Sequence, residues 1–203
     1  MTDALTVVVL AFVGYRIFGG TRLLGRADVR QHVLEILRGL RPRHFVLAWP
    51  VLLVVLLVAS VLVRIPGLQW GWWTALGGVG NPIIGTTTRT QGTPLEWLVP
   101  VVFLLMVLPA LPLFAEAEER MFRVGAEHWS RARRVRRSIE FGLAHALIGI
   151  PIGFALALSI GGGYFTWAYL RGGMAESTRA HLAYNLTIFV VVGTTLAVTR
   201  RLQ

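Results

Sequence analysis

Long uncharged stretches separated by short bunches of arginine constrain this chain more than any other feature. They run from Ala4 to Tyr15, His44 to Val63, Ile65 up to Arg89, Trp97 to Ala115, Phe141 to Leu170 and Ala180 to Thr199. Crossing the ~30 Å hydrocarbon core of a bilayer takes roughly 20 apolar residues as a helix. The runs that begin at His44, Trp97 and Ala180 therefore each predict one membrane span. Only 15% of the residues are charged, against about 25% in an ordinary soluble domain, and this agrees with a membrane protein.

The remaining runs need separate arguments. Residues 65–95 contain Pro66, Pro82, Pro94, many Gly and Thr and the cluster Trp70, Trp72 and Trp73, which predicts a loop or re-entrant segment at an interface. The run Phe141–Leu170 encloses Gly161-Gly162-Gly163. It predicts a helix from about Ser138 to Ile160, a tight turn, and a short return helix ending near Leu170. Ala4 to Phe18 follows the acidic Asp3 and has no small-residue cleavage pattern, so it predicts a retained helix, not a signal peptide.

Arginine counts orient these spans. Thr21–Arg43 carries six Arg and Glu116–Arg137 seven, whereas Arg64–Glu96 carries two; the first two segments belong on the cytoplasmic side. The expectation is an all-α polytopic membrane protein of about six transmembrane helices with both termini outside. Arg200 and Arg201 argue mildly for the alternative, five spans and a cytoplasmic C-terminus.

Composition removes several chemistries. The chain has no Cys, which excludes disulfides, thiolate nucleophiles and thiolate metal sites. Its net charge of +10 does not predict nucleic-acid binding, because the run Arg131-Ala132-Arg133-Arg134-Val135-Arg136-Arg137 directly precedes a span. There it acts as an orientation signal and attracts anionic headgroups. Thr21–Arg43 intersperses Leu23, Leu24, Val33, Leu34, Ile36 and Leu37 with arginines and reads as an amphipathic helix on the cytoplasmic surface, with gating of a cavity as the alternative.

Polar residues inside apolar runs are the candidates for function. After Trp97–Ala115 comes Glu116-Ala117-Glu118-Glu119-Arg120-Met121-Phe122-Arg123. On a continuing helix Glu119 and Arg123 have the acid-before-base spacing of an ion pair. Glu118 is turned about 100° away and stays free for other work. A solvated, charged helix end is the plainer alternative. His145 lies five residues beyond Glu140, and the row Phe141, His145, Gly149, Gly153, Ala157, Gly161 advances in fours as a small-residue stripe, which turns His145 toward other helices. Pro151 beside it predicts a kink. His181 and Asn185 stack on one helix face; helix-to-helix hydrogen bonding is the structural alternative for each. With six spans, Glu118, His145, His181 and Asn185 lie at similar depth near the cytoplasmic leaflet; with five they do not meet.

Glu118-Glu119-x-x-x-Arg123, Phe141-x-x-x-His145 and His181-x-x-x-Asn185, in this order, resemble the three signature motifs of the CPBP family, the CAAX prenyl endopeptidase-like and bacteriocin-processing intramembrane proteases (Abi family). The likeness covers about residues 95–200 and includes Phe122-Arg123 followed by Gly125. It implies a multi-helix bundle with a cavity open toward the cytoplasmic side. Family bundles often have eight helices, so the first half of this chain lies outside any carry-over. The resemblance implies Glu118 as the general base that activates water, His145 assisting it, His181 and Asn185 stabilising the oxyanion, and Glu119, Arg123 and Phe141 as supporting residues.

The expected organisation is therefore residues 1–95, with N-terminal helices, basic amphipathic segment and Trp/Gly-rich loop, followed by a catalytic core over residues 96–203. The expected function is hydrolysis of a membrane-embedded peptide or lipoprotein in a bacterial cytoplasmic membrane, without a cofactor. Glu118, His145 and His181 form an alternative zinc set, since one Glu with two His can leave a coordination position for water, although no H-E-x-x-H helix is present. The competing function is a non-catalytic membrane interaction protein, an immunity factor or complex subunit. Transport fits less well, because the polar residues gather at one side.

Overall fold

The computed structural model of the chain describes residues 2–75, 80–81, 86–87, 93 and 95–201. Its long elements are all helical: α1 (Thr2–Leu23), α2 (Ala27–Arg38), α3 (Pro42–Leu62), the one-turn α4 (Trp72–Ala75), α5 (Leu95–Val107), α6 (Leu111–Arg123), α7 (Arg131–Ala144) and α8 (Ile152–Arg201). Between α4 and α5, Gly80–Asn81 pairs antiparallel with Thr86–Thr87. The rest of the Trp/Gly-rich stretch, including Pro82, Arg89 and Pro94, lies outside the described residues.

The helix boundaries have local causes. Pro42 occupies the first turn of α3, where its missing N–H is no loss, and the Arg41 N–H donates to His44 Nδ1 at 3.0 Å. Pro109 and Pro112 interrupt the α5–α6 path with a 3-10 turn at Leu108–Ala110, yet the chain continues helically to Arg123, as the apolar run and its charged end predict. Ser130 caps α7, its side chain accepting from the Arg133 N–H at 3.3 Å, an arrangement that satisfies one orphan donor.

The turn expected at Gly161–Gly163 is not there; all three glycines lie inside α8. The chain turns earlier, where α7 passes into a 3-10 segment at His145–Ile148 and Gly149 adopts φ 84°, a left-handed conformation that glycine adopts without steric cost. Pro151 therefore stands at the start of α8 and does not kink a continuous helix. The first N–H groups of α8 are satisfied by the loop: Ile152 donates to the Trp70 carbonyl at 2.9 Å and Gly153 to that of Leu68 at 2.7 Å. A second break, at Gly172 and Gly173, divides α8 into two limbs, with Gly173 at φ 68°. The predicted small-residue row is thus cut between His145 and Gly153.

A different pair of glycines brings α7 and α8 together. A Cβ on Gly142 would stand 2.7 Å from the Ser159 backbone nitrogen and closer still to the Ala155 carbonyl, and one on Gly162 would stand 2.9 Å from the Ser138 carbonyl. Backbone atoms cannot rotate away. Gly142→Ala is expected to cost about 1–3 kcal/mol through overpacking, read as a lower midpoint of thermal or denaturant unfolding.

Helix α8 is the hub, since α3, α6 and α7 all pack on it. One apolar cluster joins Ala48 and Leu52 of α3 to Phe122, Phe141, Phe165, Ala168, Ala180 and Tyr184; another joins Ile17, Ile36, Val107, Leu111, Ala115 and Leu182. Helix α2 thereby buries Val33 and Ile36 inward while Leu34 and Leu37 stay exposed, so it is packed on the bundle as well as facing outward. Two helical segments, Pro42–Leu62 and Leu98–His128, are long and apolar enough to cross a membrane. Only 22% and 28% of their most apolar windows are buried inside the fold. Their apolar side chains thus point largely outward, unlike those of a soluble core helix.

Candidate functional site

The second turn from the end of α6 presents two adjacent carboxylates with opposite fates. Glu119 is fully buried. It accepts from Ser177 Oγ and, at 2.9 Å, from His181 Nδ1, both on the second limb of α8, and Arg123 Nε stands 3.6 Å from its Oε2. Arg123 is also fully buried, with its guanidinium 4.9 Å from the centroid of the Phe141 ring. The acid-before-base spacing predicted this ion pair.

Glu118, one residue earlier, has a side chain that is 37% exposed, yet its Oε2 is buried without a hydrogen-bond partner. That oxygen faces two imidazoles, His181 Nε2 at 3.7 Å and His145 Nε2 at 3.9 Å. Separations above 3.5 Å are too long for direct hydrogen bonds and suit a bridging water.

Both rings are held by their other nitrogen. His145 Nδ1 lies 2.9 Å from the Phe141 carbonyl, which can only accept, so this nitrogen carries a proton. His181 Nδ1 is likewise the donor to the Glu119 carboxylate. In the neutral rings each Nε2 is therefore a lone pair aimed at Glu118. Packing fixes the planes: His181 stacks on Phe165 with centroids 4.3 Å apart, and Phe141 meets the edges of both imidazoles, at 4.9 Å for His145 and 5.5 Å for His181.

The structure thus brings together Glu118, Glu119, Arg123, Phe141, His145 and His181. Asn185 follows His181 by one turn on the same face, half-buried, and its carboxamide is joined to these groups by no hydrogen bond among the described residues. Ser177 and Phe165 are additional members that the motif reading missed. Ser177 had a signal in the sequence, since it precedes His181 by four residues and so shares the stripe with His181 and Asn185. Phe165 had none, being one aromatic among many in an apolar run.

Zinc would need three ligands near one point, with donors about 3.3 Å apart for tetrahedral bonds of 2.0–2.1 Å. The imidazole-to-carboxylate gaps at Glu118 are wider, and among the described residues no group of three His, Cys, Asp or Glu has metal-holding spacing. The Nδ1 partners, a carbonyl and a carboxylate, are of the kind that also orient metal-bound imidazoles. No family model matches the chain, and no curated protein or solved structure matches it.

Proposed function

We propose that this chain is an integral membrane endopeptidase of the CPBP type, with about six transmembrane helices in a bacterial cytoplasmic membrane, which hydrolyses a membrane-embedded or lipid-modified peptide with water activated by Glu118. The observation that carries this reading is the convergence of two oriented imidazoles on one unpartnered carboxylate oxygen at 3.7 and 3.9 Å. The apolar outward faces of Pro42–Leu62 and Leu98–His128 carry the membrane part.

The chemistry follows from the hydrogen-bond roles. A water between Glu118 and the His145 ring gives its proton to the carboxylate while its oxygen attacks the scissile carbonyl, and Glu118 then passes that proton to the leaving amine. The tetrahedral intermediate needs a donor for its oxyanion. His181, oriented through Nδ1 by Glu119, is one candidate donor and the Asn185 amide is a second. Glu119 and Arg123 act as positioning residues.

The identity of the substrate is open to direct measurement. Membrane peptides compared by mass spectrometry between cells carrying wild-type protein and cells carrying Glu118→Gln are expected to differ by at least one uncut precursor. Identical peptide profiles, with both proteins present in the membrane, would overturn the assignment. Dialysis of the purified protein against a metal chelator is expected to leave cleavage intact; loss of cleavage that added zinc restores would move the mechanism to the zinc set Glu118, His145 and His181.

A further inference from the structure

A cleft of about 830 Å³ opens between the end of α6 and α7. Arg120, Arg133, Arg136 and Arg137 line it together with Trp129, and its lining includes one carboxylate, Glu140, but none of Glu118, His145 or His181. Glu140 is already engaged on both oxygens, by Arg136 Nε and Arg137 Nη1 at 2.7 Å each. Arg120 holds Glu116, again at 2.7 Å. Arg133 forms no ion pair among the described residues; its guanidinium lies over the Trp129 ring, 4.9 Å from the centroid. The cleft thus keeps an excess of positive charge and guanidinium N–H groups without acceptors.

We infer that this cleft is a binding site for the phosphate headgroup of an anionic phospholipid. Guanidinium groups match phosphate oxygens in pairs and are less strongly hydrated than ammonium groups. The other wall selects the source of the phosphate. Met121 and Val124 line the cleft and are 64% and 57% exposed, a surface that an acyl chain would cover and a free phosphate would leave wet. Trp129 next to it is the kind of side chain enriched at the level of headgroups. The cleft also adjoins Leu98–His128, a segment apolar and long enough to span, and basic pockets beside spans on the cytoplasmic side suit such headgroups. The inference rests on the membrane reading, though not on proteolysis.

The test is native mass spectrometry of the full chain purified in detergent, with phosphatidylglycerol and phosphatidylcholine offered together. Phosphatidylglycerol is expected to be retained over phosphatidylcholine on the order of tenfold, and Arg133→Gln to reduce that preference about fivefold. Arg131→Gln removes the same charge from the same run outside the cleft and is expected to leave the preference unchanged. Equal losses in the two variants would assign the effect to diffuse surface charge and overturn the site. Displacement of the lipid by glycerol phosphate at comparable concentration would overturn the lipid as its source. Recovery of the wild-type chain from cells without detergent would instead sink the membrane reading, an outcome visible before any lipid is added.

Discussion

Glu119→Gln is expected to destabilise the fold by about 3–5 kcal/mol, the effect of leaving a buried charge without its partner. Against a total stability of roughly 5–15 kcal/mol this is enough to lose most of the folded protein. Arg123 is the reason. It is fully buried, its Nε and one amino group have no hydrogen-bond acceptor, and its nearest counter-charge is the Glu119 carboxylate at 3.6 Å. A glutamine keeps the shape but removes the charge. It also cannot accept on both sides, from Ser177 and from His181, as the carboxylate does. Arg123→Met alone is expected to be damaging too, since Glu119 then loses its guanidinium. The double variant, with neither charge present, should lose clearly less than the two single losses added together, because the couple is removed whole. Thermal or denaturant unfolding of the four proteins in one detergent checks this; strict additivity would mean that the pair is not energetically coupled.

The parts of this fold that were legible in the sequence are those where charge and length act directly. The apolar runs at His44 and Trp97 became the helical segments Pro42–Leu62 and Leu98–His128, and the Glu119–Arg123 spacing became an ion pair. The path of the chain between Phe141 and Leu170 was not legible. No charge marks a break there, and glycine has opposite meanings in a turn and in a close helix contact. Gly161–Gly163 looked like the turn, yet the contact of Gly162 with α7 absorbed it into a helix, while the real reversal at Gly149 looked like one more member of a small-residue stripe. The site shows the same division. Four-residue spacings placed His145 and His181 on definite helix faces, and the fold brings both to Glu118. The serine and the phenylalanine that complete the second ring's setting are ordinary residues of an apolar helix, and only the packing of α8 on α6 and α7 gives them their role.

Glu118→Gln is expected to fail in the opposite way from its neighbour. Its unfolding midpoint should stay close to wild type, because the buried Oε2 of Glu118 has no hydrogen bond to lose and the side chain keeps its volume. Cleavage by the purified protein should fall by about 10²–10⁴-fold, the typical contribution of a positioned general base. Two imidazoles face this carboxylate oxygen at 3.7 and 3.9 Å, beyond direct hydrogen-bond reach, which suits a water between them. Proton transfer from that water to Glu118 is the use that the proposed mechanism makes of it. A membrane interaction protein with no catalytic duty has no need of that oxygen. Expression of Glu118→Gln in a cell that depends on this gene therefore separates the two functions. Loss of the phenotype with normal amounts of folded protein in the membrane is the expected result. Full rescue would assign the chain a binding role and leave the three converging side chains as packing between helices.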